Sequence, residues 1–444
     1  MTEHQDLKDA IDTNFERTAR RLVDLVRIPS ISADPDRASD VLASAQATID
    51  LLLESGFSNV RLLEIDGSHP AVFGEIAGPT GAPTVLLYAH HDVQPVGEGW
   101  TTEAFEPVDR GGRLFGRGTS DDKCGIVMHV AAIEAHQGQP PVGVKIFVEG
   151  EEEIGSLHLA DYLATYGELL AADAIVIADS GNWRTGQPTL TTSLRGLVDC
   201  VVEVRTLDHA VHSGVFGGLF PDALTSLSRL LAALHNDDGS VAIPGLHSFS
   251  GPGLALDVEE ARAEAEARPG VEAIGTGSLT DRLWNQPAVS VLAIDAPPVR
   301  EAINALIPVA RAKVSLRIAP GQDPEQAMQA LMSHLAAHAP WGAEVTITPG
   351  SAGEAFALES TGPAYDAFRS AFAEAWATEP VEMGVGGSIP FVAAFSDAYP
   401  EAAILLTGVG DNKSRAHGPD ESLDLEELRR GCYAEAVALR LMAG

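Results

Sequence analysis

The chain has 444 residues, a length that splits into at least two domains, and its 45% apolar, 21% charged composition contains no run near the roughly 20 apolar residues needed to span a bilayer. Its 29 lysines and arginines against 63 aspartates and glutamates leave a formal net charge of −34, which repels a phosphate backbone and excludes nucleic acid as a partner. Three scattered cysteines, Cys124, Cys200 and Cys432, with no C-x-x-C pair, exclude a disulfide framework and a zinc finger.

The first residues set Leu22, Val23, Leu25 and Val26 among charges at helical spacing. They predict an amphipathic helix and not a signal peptide, so the expected compartment is the cytoplasm, with no membrane role. A second helix is expected from Val41 to Glu54, then a hairpin from 59–65 and 71–77. Four Val/Ile/Leu runs come next at intervals: TVLLYA (84–89), VKIFV (144–148), AIVIA (174–178) and AAILLTG (402–408). Such runs, separated by helical stretches, predict strands buried on both faces of a mostly parallel sheet.

The residues just past each run carry the chemistry. The first run ends in His90-His91-Asp92, the second in Glu149-Gly150-Glu151-Glu152-Glu153, the third in Asp179, and the fourth soon reaches His417. Ligand sites in open α/β sheets lie beyond the carboxyl ends of the strands, so these residues are expected at one edge of one sheet. A further stretch, GRGTSDDKCG (116–125), holds Asp121 between a Gly-X-Gly turn and a helix-like segment, at the centre of that group.

From about 196 to 350 the pattern changes to period two. GLVDCVVEV (196–204), KVSLRI (313–318) and EVTIT (344–348) alternate apolar and polar residues, which implies an antiparallel sheet with one wet face. Helices from Asp222 to Leu234 and from Pro324 to His338 carry leucines and methionines suited to its dry face. The predicted fold class is α/β. A mostly parallel-sheet domain with helices on both faces (1–195 plus 351–444) is interrupted by a smaller α+β domain of antiparallel sheet and two helices (196–350).

Two imidazoles with three or four carboxylates and no thiolate suit Zn²⁺, Mn²⁺ or Co²⁺ better than Ca²⁺. Five ligands with one shared acid fit two ions roughly 3.5–4 Å apart. In His90-x-Asp92 the two side chains point the same way on an extended segment, so Asp92 can hold the free ring nitrogen of His90. Each piece also has a plain structural reading: Asp121 as a helix cap, the Glu run as an acidic helix start, Asp179 as a turn. Their joint placement at strand ends favours the metal site.

These stretches match a family. YAHHDVQP (88–95), GRGTSDDK (116–123), EGEEEIGS (149–156), the strand ending in Asp179, and His417 resemble, in order and spacing, the metal-site motifs of the M20 family of metallopeptidases, especially its carnosinase-like dipeptidase branch. HSGVFGG (212–218), RAKVSLRIAP (311–320) and GGSIP (386–390) resemble segments in which those dipeptidases contact substrate. The resemblance implies that His90 and Asp179 bind one metal ion, Glu153 and His417 the other, and Asp121 bridges them, with Zn²⁺ as the first choice. It implies Glu152 as general base, Asp92 as the partner behind His90, and a cis Asp121–Asp122 peptide.

Arg317, on the polar face of its strand, is then the anchor for a substrate carboxylate, with Gly387 and Ser388 also on the substrate. The smaller domain becomes a lid and dimerisation domain, from which His212 reaches the active site of a partner subunit and stabilises the oxyanion. The expected reaction is hydrolysis of the amide bond of a dipeptide or short peptide by a homodimer, Glu152 taking the proton of a metal-bridging water. An N-acyl-amino-acid or succinyl-diaminopimelate-type deacylase would use the same parts, and a silent metal-binding scaffold would not need them all intact. Two positions depart from the family pattern: Cys124 where relatives carry Gly or Ala, and Ala305 where a hydroxyl residue often stands near the substrate.

Overall fold

The computed structural model of the protein describes residues 4–251, 253–387 and 390–444. Contacts divide the chain into two compact units, one of Met1–Thr192, Leu358–Met383 and Pro390–Gly444, the other of Ser193–Ala357 and Gly384–Ile389. Besides the short return at 384–389, the chain crosses between them at 192/193 and 357/358, against expected bounds of 195/196 and 350/351. Strand Thr189–Leu194 pairs with Phe356–Ala357 through Leu194 and Ser193, which draws both crossing points along that ladder.

In the first unit the four apolar runs are neighbouring parallel strands, in the order Gly143–Glu149, Thr84–His90, Ala174–Ile177, Ala403–Leu406. The hairpin Ser58–Leu63 and Ala71–Ile76 extends the sheet antiparallel on one side, and Thr189–Leu194 on the other. Alternate residues face opposite ways, as a strand's period of two requires. Val85, Leu87, Val144, Ile146 and Val148 enter a core with helices Gln5–Val26, Lys123–Ala135, Pro363–Trp376 and Leu425–Leu441. Tyr88 and Phe147 instead meet Phe391 and Phe395 of helix Pro390–Ala398, and Phe147 meets Tyr162 of helix Leu159–Leu170. Each fully buried Val or Leu contributes about 1.5–3 kcal/mol, so the strand ends that carry the candidate ligands are anchored in the best-packed part of the unit.

Helix Lys123–Ala135 is mostly apolar with no polar face, and 12 of its 13 residues are buried. A helix of that kind belongs inside the protein and not on its surface. Among the described residues no helix is long and apolar enough to cross a membrane.

The second unit is a four-stranded antiparallel sheet in the order Ala288–Asp295, Val309–Ile318, Gly196–Arg205, Glu344–Gly353. Val198, Cys200, Val202, Val314 and Leu316 form its dry face with Leu227 and Leu230 of helix Ala223–Ala232 and Leu331 and Leu335 of helix Pro324–Ala337. Asp222 and Asp323 cap these helices by accepting from the N–H of Thr225 and Gln326. The strand Ala288–Asp295 is not foreshadowed by its sequence. Its last six residues are exposed, so AVSVLAID carries no alternation of apolar and polar positions to announce an edge strand.

Candidate metal centre

His90 is the last residue of its strand and sits opposite Glu149 of the neighbouring one, which brings the acidic run 149–153 beside it. Its Nε2 lies 3.1 Å from Asp121 Oδ1, 3.8 Å from Asp179 Oδ1 and 4.0 Å from Glu152 Oε2. The other oxygen of Asp121 lies 3.0 Å from His417 Nε2, which is in turn 3.2 Å from Glu153 Oε2. Asp121 therefore divides its two oxygens between two imidazoles. Two sets of donor atoms lie within 4.8 Å of one another, His90 with Glu152 and Asp179, and His90 with Asp121 and Glu153.

Burial and crowding give the site its electrical character. Burial, joined by the Glu153 and Asp121 charges against the pull of His90, pushes Glu152 up to about 8, and burial likewise raises Glu153 and Asp179. Burial also works against ionised Asp121, yet the hydrogen bonds of His417 and His90 hold it well below the usual carboxylate range. His417 rises to about 10 through those same contacts with Asp121 and Glu153. Protons on the two rings thus supply positive charge that the clustered carboxylates demand. That demand, met by imidazole and carboxylate donors without a thiolate, fits divalent cations of the zinc class.

The loop carrying His417 is held in an uncommon shape, with Arg415, His417 and Asp420 all in the left-handed region at φ 55°, 63° and 56°. Such residues persist where surrounding contacts fix them. Asp420 accepts from the N–H and hydroxyl of Thr101, and beside it Glu421 is fully buried.

Glu421 is the site residue that sequence reasoning missed. Its carboxylate accepts from the backbone N–H of Gly118, Ser120 and Asp121 and pairs with Arg117 at 2.7 Å. Arg117 is itself 1% exposed and lies over the Trp100 ring. One signal was present: an arginine between two glycines in so acidic a chain needs a carboxylate of its own. Removing one partner of a buried pair leaves an uncompensated charge. Glu421→Leu is therefore expected to lower stability by about 3–5 kcal/mol in urea melts, with Arg117→Met/Glu421→Leu recovering part of the loss. A loss under about 1 kcal/mol, the scale of an exposed pair, would contradict this account.

Asp92 meets the His90 ring with both its backbone carbonyl and its carboxylate. His90 Nδ1 donates to the Asp92 backbone carbonyl at 3.1 Å, and the carboxylate stands farther away at 3.4 Å. The buried carboxylate also accepts from Ser32 Oγ at 2.6 Å and from the N–H groups of Glu152 and Glu153. It thereby locks the two glutamates relative to His90. Cys124 is buried with its thiol toward the Ser120 carbonyl, and burial raises that thiol well above its ordinary range. Next to it Gly125 must lack a side chain, because a Cβ there would meet Asp122 Oδ1 at 2.6 Å. The Asp121–Asp122 peptide is cis.

His212, Arg317 and Gly387 belong to the second unit, and Ser388 lies outside the described residues. His212 is exposed and pairs with Ala305 across a two-stranded ladder. Its Nδ1 accepts from the Gly214 N–H at 3.0 Å, so the ring's proton sits on Nε2 and points that nitrogen's donor elsewhere. On the wet face of the four-stranded sheet Lys313 is paired with Asp199 at 3.2 Å. Arg317 is half-buried and makes no hydrogen bond or ion pair among the described residues.

The model of peptidase family M20/M25/M40 matches residues 86–440. Cysteinylglycine-S-conjugate dipeptidase of Corynebacterium striatum is 34% identical over 448 residues, with 97% of this chain and 98% of that protein covered. Cys-Gly metallodipeptidase DUG1 of Saccharomyces cerevisiae is 27% identical over 469 residues, covering 97% and 96%. The solved structure of human carnosine dipeptidase 1 superposes with a TM-score of 0.84 at 22% identity, over 100% of this chain and 99% of that one.

Proposed function

Because the chain belongs to peptidase family M20/M25/M40, we propose that it hydrolyses dipeptides at the cluster around Asp121, with cysteinylglycine and its S-conjugates as first candidate substrates. The observation that carries this reading is the division of Asp121's two oxygens between His90 and His417. His90 and Asp179 would hold one divalent ion and Glu153 and His417 the other, with Asp121 shared and Zn²⁺ preferred over Mn²⁺ or Co²⁺. Bound there, the ions supply Lewis acidity that polarises the scissile carbonyl and brings the pKa of water from 15.7 toward about 7.

The chain's own groups do the rest. Glu152, its backbone fixed by Asp92 and its carboxylate 4.0 Å from His90, takes the proton of the attacking water and delivers it to the leaving nitrogen. Asp92 keeps Glu152 and Glu153 apart in role by holding both N–H groups. Arg317, with no partner of its own among the described residues, receives the C-terminal carboxylate, with Gly387 at the same end of the substrate. The first unit is thus the catalytic domain and the second the lid and dimerisation domain.

Support for a dimer comes from apolar exposure in the second unit. Val291, Leu292 and Ile294 are exposed on the edge strand Ala288–Asp295, and Phe216, Leu219, Phe220, Val299 and Ile303 in the segments that flank His212 and Ala305. An unpaired edge with apolar side chains of this extent marks an interface, and we assign it to a second copy of the chain. His212 of the partner subunit then turns its Nε2–H to the oxyanion. Three free, buried cysteines suit the reducing cytoplasm.

We adopt this reading over an N-acyl-amino-acid or succinyl-diaminopimelate-type deacylase because the whole-length relatives are named dipeptidases. A panel of free dipeptides, including Cys-Gly and S-substituted Cys-Gly, against N-acetyl and N-succinyl amino acids in added Zn²⁺ or Mn²⁺ tests it. Free dipeptides are expected to turn over, chelation to stop the reaction, and about two divalent ions per chain to restore it. Faster turnover of the N-acyl compounds, or full activity in a preparation that elemental analysis finds free of metal, would sink the proposal.

A further inference from the structure

Arg195 stands at the entrance to the strand Gly196–Arg205 and is 8% exposed. A buried guanidinium ordinarily faces a carboxylate. This one faces three backbone carbonyls: Nε donates to Gly386 at 3.2 Å, and Nη1 to Arg282 at 3.3 Å and Gln286 at 3.4 Å. Its own N–H donates to Val385. Two of these contacts hold the 384–387 segment and two hold the end of helix Leu279–Trp284 and the turn after it, so that Arg195 ties them together. The packing leaves no room to spare, because a Cβ on Gly386 would meet Arg195 Nη2 at 2.9 Å.

The register of the sheet brings a second cation to the same face. Leu197 pairs directly with Arg317, and Arg195 lies two residues before Leu197, on the same side of the strand and diagonal to Arg317. On its other side Arg317 pairs with Ala288, which brings no charge to it. The next acid on that face, Asp199, is already paired with Lys313. Two guanidiniums therefore share one face without a carboxylate between them, in a chain where acids outnumber bases 63 to 29. Burial, and then the Arg317 charge, draw Arg195 down to about 10.

Resting on the reading of Arg317 as substrate anchor, we infer that Arg195 is a positioning residue of the carboxylate subsite. It fixes the 384–387 glycine segment and adds a second positive charge behind Arg317, so that the site selects peptides ending in a free carboxylate. Arg195 does not touch the substrate; it acts through the field at Arg317 and through the segment it holds.

The test compares kcat/KM for a dipeptide and for the same dipeptide as its C-terminal amide. Arg195→Gln keeps hydrogen-bond donors and removes the charge. It is expected to lower the carboxylate-to-amide ratio roughly 3–10-fold, mainly through KM, with metal content unchanged. Arg195→Lys keeps the charge, so its ratio should stay within about two-fold of the parent even if both activities fall. Equal losses on both substrates in Arg195→Gln would show a merely structural role and overturn the inference. Should that variant fail to fold by circular dichroism, a collapsed ratio in Arg195→Lys would overturn it equally. Arg317→Gln separates the two readings: an unchanged ratio there removes the anchor itself, and the inference with it.

Discussion

Glu152→Gln is expected to keep its metal and lower kcat by roughly 10²–10⁴, the usual worth of a general base. The two neighbouring glutamates are aimed differently because Asp92 holds both of their N–H groups and sets the backbone between them. Glu153 is engaged by Gln94, whose N–H and side-chain amide both donate to its carboxylate, and it faces His417. Glu152 faces His90 across 4.0 Å and has no such fixed partner among the described residues, which suits a group that must gain and lose a proton. Its carboxyl, raised to about 8 by burial and by the surrounding acids, is a stronger base than an ordinary glutamate. Glu153→Gln is expected instead to lose metal. Elemental analysis and kcat on both variants decide it: metal lost from Glu152→Gln and kept by Glu153→Gln would reverse the two roles.

Mixing two inactive proteins is expected to give an active one. His212→Ala should lose roughly 10²–10³ in kcat, the effect of one oxyanion donor, and Glu152→Ala should be nearly dead. In a mixed dimer one site draws Glu152 from the His212→Ala chain and His212 from the Glu152→Ala chain. Random exchange on a two-fold model therefore repairs roughly a quarter of all sites. The structure supplies the reason to expect a donor at all: Nδ1 is engaged by the Gly214 N–H, so Nε2 carries the proton on an exposed ring. Subunit exchange confirmed by mass without recovery of activity, or an active monomer, would remove His212 from the chemistry.

How much of the molecule is readable in its sequence depends on how far apart the partners lie. The four central strands declare themselves because burial on both faces demands uninterrupted Val, Ile and Leu, and their neighbours in the sheet obey the parallel pairing that such runs imply. The helix over 41–54 begins earlier, at Ala38, because a turn of 3₁₀ helix at Pro35–Arg37 feeds it. Ala288–Asp295 hides because an exposed edge does not impose period two on its residues. Glu421 hides for another reason. Its partners are some three hundred residues upstream, and nothing in HGPDES says which of the acids will be buried. His90 likewise lies against both the carbonyl and the carboxylate of Asp92, and spacing alone does not show that the carbonyl takes part.

The grip of Glu421 on the 118–121 backbone has a consequence in time. Ser120 and its partner carboxylate are separated by 301 residues of chain. At about 5–20 residues per second, a ribosome needs roughly 15–60 s to travel from one to the other. Through most of that interval Asp121 has neither the carboxylate that orients its backbone nor His417, while His90 precedes it and Glu152 and Glu153 follow it early on. The nascent protein thus carries a cluster of acids that lacks both its second imidazole and the brace beneath its shared ligand. The brace under Asp121 cannot form before residue 421 has been made.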